Sequence, residues 1–128
     1  MRYMYFAKNW PKLTTGEDFT TFRYPIPDDD WYINEKVVVA RQLTGLKQLV
    51  LGTAKVKKKE LRRPFYHSSR LHFLDWPPCI SRDEALTDGF GSLVEMLDWL
   101  EHHYPEKFNP TIKLIHKLTL HWIRRAIS

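Results

Sequence analysis

The chain has 128 residues, 43% of them hydrophobic and 14% aromatic, with 20 Lys and Arg against 15 Asp and Glu. A chain of this length buries roughly two-thirds of its unfolded surface, enough for one core, so residues 1–128 read as a single domain. The aromatic load and the five Gly exclude low-complexity disorder and collagen-like or linker character, and the lone Cys79 excludes an intramolecular disulfide.

At the N-terminus, Met1 to Phe6 contains Arg2 and is followed by Lys8, which interrupts the stretch before a signal-peptide core can form. The longest apolar runs, Val37 to Ala40 and Leu49 to Leu51, fall far short of the ~20 residues a bilayer crossing needs. A cytoplasmic protein with no membrane partner is therefore expected.

Phe19 to Tyr24 is rich in Thr and aromatics and predicts a strand. The triplet Asp28 to Asp30, set among Pro25, Pro27 and Trp31, disfavours strand interiors and predicts a solvated connector. A second strand is expected over Glu35 to Leu43, centred on Val37, Val38 and Val39. Thr44 and Gly45 break it and Gln48 to Val56 resumes it, the pattern of a hairpin turning at Gly45.

From Lys55 to Arg63 six cations, Lys55, Lys57, Lys58, Lys59, Arg62 and Arg63, stand against the single acid Glu60. This segment has two readings, a solvated strand end and loop guarding an edge, or a ridge that contacts phosphates. Six phosphate contacts on a single strand would give a log-log salt slope of about −4. Arg63 to Ile80, with Pro64, Pro77 and Pro78, is expected to be a long loop packed by Phe65, Phe73 and Trp76.

Helix signals are concentrated next. Ser81 with Glu84 and Ser92 with Glu95 both have capping-box spacing, in which the hydroxyl takes an orphan N–H of the first turn and the carboxylate reaches back. The first helix is expected to end at Gly89, and the second, with Leu93, Met96, Leu97, Leu100 and Tyr104 at helical spacing, before Pro105. A last strand is expected where Leu114, Leu118, Leu120 and Trp122 share one parity and Lys117, Thr119 and His121 the other. Strands, paired helices and a returning strand make an α+β domain with a curved antiparallel sheet or small barrel.

Three motifs in this order carry a resemblance. Thr15-Gly16-Glu17-Asp18-Phe19-Thr20-Thr21-Phe22-Arg23 resembles the G-x-K-x-x-T-x-R turn and strand of ASCH domains, which belong to the PUA-like superfamily. Leu51 to Val56 is similar to their G-x-A-x-V strand, and Ile80 to Ser92, followed by the helix to Trp99 and the final Leu118 to Ile123, is similar to their A-x-x-D-G-F turn and closing strand. The resemblance spans about Met4 to Ile123. It implies a PUA-like small β-barrel of about five or six mostly antiparallel strands with two or three helices packed on it, and a cleft where Thr21, Arg23 and Asp88 converge. It also implies RNA or a modified nucleoside as the partner.

An enzyme branch of the family removes the acetyl group from N4-acetylcytidine with a Lys, a Thr nucleophile and an acid, positions that fall here on Asp18, Thr21 and Asp88. Asp18 therefore stands where that branch has its lysine. A carboxylate there cannot supply positive charge to an oxyanion, so the amidohydrolase, like a ribonuclease using the same cleft, is the alternative function and binding the leading one.

In the binding reading, Lys57, Lys58, Lys59, Arg62 and Arg63 attract the backbone of a single strand, and Thr21 and Arg23 contact the bound base or phosphate. Asp88 accepts from an exocyclic amine. Most of the aromatics are expected in the core, but Trp31 and Tyr32, beside the acidic connector, are expected to be exposed, with Trp31 stacking on an unpaired base. The adjacent His102 and His103 lack helical ligand-pair spacing, so no metal and no cofactor are expected. Cys79 is expected to be a small buried hydrophobe.

Overall fold

A computed structural model describes residues 1–26, 28–64, 77–104 and 114–126. The expected packing of Phe65, Phe73 and Trp76 lies outside the described residues. The elements are β1 (Arg2–Phe6), a 3-10 turn (Pro11–Leu13), β2 (Phe19–Arg23), β3 (Lys36–Gln42), β4 (Gln48–Arg62), α1 (Arg82–Asp88), α2 (Leu93–His103) and β5 (Ile115–Arg125).

The five strands form one sheet in the order β1-β3-β4-β5-β2, with β1 parallel to β3 and every other pairing antiparallel. The sheet curls into a half-barrel carrying two helices, so the domain is α+β, but the barrel is not closed. The two edge strands, β1 and β2, are five residues each and are not paired with each other. Side chains bridge the seam between them instead. The Arg23 guanidinium donates to the Tyr5 carbonyl at 2.7 Å, and Phe6 meets Phe19 edge-on at 6.0 Å.

Curling follows from β4. Its 15 residues pair with β3 over Gln48 to Lys55 and with β5 over Gly52 to Arg62, with register shifts on both sides, and such bulges increase the local twist. Gly52, with φ at +149°, lies so close to β5 that a Cβ would run into the Arg124 carbonyl. The hairpin turns through Gly45, φ +71°, and closes with Leu43 N–H donating to the Lys47 carbonyl at 3.0 Å.

The inner face of the sheet and the helices enclose Met4, Val37, Val39, Val56, Leu118, Leu120, Met96 and Leu100, all at most 1% exposed. The first helix start carries the full capping box its sequence spacing predicts, the second only its hydroxyl half among the described residues. Ser81 Oγ accepts from Glu84 N–H and the Glu84 carboxylate from Ser81 N–H, while Ser92 Oγ accepts from Glu95 N–H. Glu84 also pairs with Arg62 of β4 at 3.0 Å and Lys117 of β5 at 2.7 Å, pinning α1 to the sheet.

At the other edge Arg2 organises the acidic connector. It holds Glu35 through two N–H···O contacts of 2.7 Å, donates to the Asp29 and Asp30 carbonyls, and lies 4.2 Å from the centre of the Trp31 ring. Trp31 is consequently buried, against the expectation of an exposed stacking platform, and Asp30 is half-buried; Tyr32 is exposed as expected. Cys79 is half-buried rather than buried, bridged by backbone to Arg63.

The hydrogen bonds from Arg2, against the opposing effect of burial, hold the Glu35 carboxyl below its ordinary value. A depressed carboxyl contributes stability that is present above about pH 4.5 and is lost as pH falls through the folded value. Glu35→Gln is expected to lower stability at pH 7 by about 2 kcal/mol, the scale of a hydrogen bond to a charged group, and to flatten the acid limb of the stability curve. Urea unfolding from pH 7 to pH 3 measures both; an unchanged acid limb would remove Glu35 from this role.

Candidate functional site

The open seam holds a cavity of about 110 Å³, lined by Tyr5, Phe6 and Ala7 after and within β1, Thr21, Phe22 and Arg23 of β2, Trp10, Lys12, the Asp88 and Phe90 corner, and one face of α2. At about 30 Å³ per water molecule, that is room for about four waters, a single small ring rather than a drug-sized ligand.

Its aromatic wall is continuous. Trp10 meets Phe90 at 4.9 Å and Trp99 at 6.3 Å, and Trp99 meets Tyr104 at 6.2 Å, all edge-on, with the His103 imidazole stacked on Trp99 at 3.9 Å. Gly89 makes this packing possible. It caps α1 at φ +114°, and a Cβ there would stand 2.9 Å from the Trp10 ring.

The polar floor is a buried ion pair that the motif alignment does not contain. Lys12, on the 3-10 turn, donates to Asp88 Oδ1 at 2.9 Å and to the Thr20 carbonyl at 2.7 Å, and Thr20 Oγ1 donates to the same Asp88 oxygen at 3.1 Å. Both charged side chains are less than 10% exposed. Burial pushes Asp88 above its ordinary value and Lys12 below its own, each opposed by the other's charge. Among the described residues no donor reaches Asp88 Oδ2.

Thr21, Arg23 and Asp88 come together at this cavity. Arg23 Nε donates to Thr21 Oγ1 at 3.3 Å, its guanidinium lies 4.8 Å from the Phe6 ring centre, and burial lowers its pKa from the ordinary value. Asp18 is elsewhere. It is exposed on the outer face, paired with His121 at 2.6 Å and Lys57 at 3.1 Å, so it does not join Thr21 and Asp88; the amine at the site comes from Lys12. Sequence reasoning missed Lys12 because the contact that gives it a role lies 76 residues downstream.

The cationic segment is not a free ridge. Lys57 pairs with Asp18, Lys58 with Glu60 at 3.9 Å, Lys59 with Asp30 at 2.8 Å, and Arg62 with Glu60 and Glu84, while Arg63 donates to the Pro77 carbonyl. Most of it is strand β4, running past Val56 to Arg62, where a loop reading is replaced by pairing with β5. Among the described residues no group of three or more His, Cys, Asp and Glu is placed to hold a metal ion, and no helix is long and apolar enough to cross a membrane.

The chain matches no family model, and no curated protein or solved structure is detectably similar to it.

Breaking one half of a buried ion pair typically costs about 3–5 kcal/mol, because the partner is left charged and unpaired. Asp88→Asn and Lys12→Met are each expected in that range, whereas Lys12→Met with Asp88→Leu is expected to lose less than the sum of the two. Chemical denaturation of the three variants tests the coupling, and strictly additive losses would show that the two side chains act independently.

Proposed function

We propose that the seam cavity binds the base of a nucleoside, free or in an unstacked stretch of RNA, in the manner its ASCH-like motifs suggest. One observation carries this reading. A slot walled by Trp10, Phe90, Trp99 and Tyr104 is also lined by Asp88, whose Oδ2 no donor reaches among the described residues, and by Arg23. Aromatic faces suit a flat ring, for about 1–3 kcal/mol per stacked base. An acceptor beside donors suits a ring edge that pairs an N–H with a carbonyl or ring nitrogen.

The pairing of the cationic segment argues for recognition of one base over a grip on a long backbone. If RNA binds, the salt slope is expected to be well short of −4 and nearer −1, since among the described residues only Lys55 and Arg63 of the six cations lack a carboxylate partner.

Lys12 supports a second reading, hydrolysis of an acylated amine on the bound base. Lys12 and the buried Thr21 line the same cavity, desolvation lowers the Lys12 pKa, and a neutral amine beside a threonine hydroxyl would take its proton. In this reading Thr21 Oγ attacks the acyl carbon, the amine of the base leaves with a proton, and water releases the acid from the ester.

Titration with cytidine, uridine and N4-acetylcytidine, followed by tryptophan fluorescence and calorimetry, separates these possibilities. Binding is expected to weaken at least tenfold in Trp99→Ala. Absence of any heat or fluorescence change with all three would overturn the binding reading. Acetate release from N4-acetylcytidine that disappears in Thr21→Ala while binding persists would establish the hydrolytic one.

A further inference from the structure

The charged side chains lining the cavity are Lys12, Asp88 and Arg23. Lys12 and Asp88 are joined directly, and burial moves both toward the neutral form. Wherever their shared proton sits, the pair sums to zero charge. The Arg23 guanidinium is left over, and it keeps its proton throughout the neutral range.

Its protein contacts do not balance that charge. Among the described residues they are a hydroxyl, Thr21 Oγ1, a backbone carbonyl, Tyr5 O, and the face of Phe6; Asp88, already joined to Lys12, acts on Arg23 from beyond ion-pair reach. Of the five N–H donors of a guanidinium, Nε and one on NH2 are engaged among the described residues, leaving there both hydrogens of NH1 and the second of NH2. The free end of the fork is the geometry that grips a carboxylate through two parallel hydrogen bonds.

Resting on the reading of the cavity as a base site, we propose that the ring it binds carries one negative charge, a carboxylate in the ring plane that pairs with the free end of Arg23. Asp88 Oδ2 then accepts from a ring N–H of the same ligand. A single carboxylate matches the cavity's net charge of one, whereas a phosphate monoester brings about −1.5 to −2 at pH 7. The planar group also extends the ring into the same slot, which a tetrahedral phosphate does not.

Matched pairs of small probes test the charge with the ring held nearly constant: nicotinate against nicotinamide, and orotate against uracil, titrated into the full chain by calorimetry at pH 7 and low salt. Each carboxylate is expected to bind at least tenfold more tightly than its neutral counterpart. Arg23→Gln is expected to erase that preference, and Arg23→Lys, which keeps the charge without the fork, to retain part of it; near-UV circular dichroism checks that both variants are folded.

Neutral rings binding as tightly as the carboxylates in the wild-type protein would overturn the proposal and leave the base site standing. A preference that survives in folded Arg23→Gln would overturn the assignment to Arg23. If none of the nucleosides or probes binds, both the charge and the base site fall.

Discussion

The contact between Lys12 and Asp88 ties together parts of the chain that no hydrogen-bonded ladder joins. The lysine belongs to the turn after β1, its second acceptor is the Thr20 carbonyl on β2, and the carboxylate ends α1. A carboxylate in the last turn of a helix faces the negative end of the backbone dipoles, so Asp88 is placed where its charge is least welcome without a nearby cation. Lys12 supplies it. The three contacts between Lys12, Asp88 and Thr20 compensate groups that have been taken out of water, and they fix the corner from which Phe90 and Gly89 meet Trp10.

That corner matters because the sheet stops short of closure. A closed barrel removes its edges through backbone pairing, and its interior fills with side chains. Here two short edge strands are not joined by a ladder, and Arg23 sets one side-chain bond to Tyr5 in place of the missing row. The gap is what leaves space for a cavity. The long central strand and its register shifts bring β1 and β2 into facing positions while each pairs with a different neighbour, so the seam and the curl have a common origin.

Features with local causes were legible in the amino-acid sequence. The two Ser-x-x-Glu boxes mark α1 and α2 because the capping groups are three residues apart, and the Gly45 turn and the valine run mark β3 and its hairpin for the same reason. What depended on distant partners was not legible. β1 is five residues with alternating Tyr and apolar side chains, unremarkable until β3 pairs with it. Lys57 to Arg62 resembled a solvated loop because their counter-ions, Asp18, Asp30 and Glu84, are 22 to 39 residues away. Trp31 sits among polar neighbours in sequence, yet Arg2 covers it from the start of the chain. That Thr21, Arg23 and Asp88 would meet was expected only from a motif order, and Lys12, which lines the same cavity, lies outside every motif.

The distribution of charge separates what maintains the fold from what shapes the site. The basic surplus of the chain is concentrated in β4, but ion pairs along that strand neutralise most of it, and such surface pairs are individually worth little. Inside the seam the relation is reversed. Replacing a buried ion pair with apolar side chains of similar volume is often neutral or stabilising, so stability alone gives no reason for Lys12, Asp88 and Arg23 to stand beside Trp10 and Trp99 in so small a core. The proposed ring site would give one. In that reading the aromatic faces would supply most of the contact area, and the three charged groups, carried by the turn, α1 and β2, would fix which edge of the ring can enter and what charge it can bear.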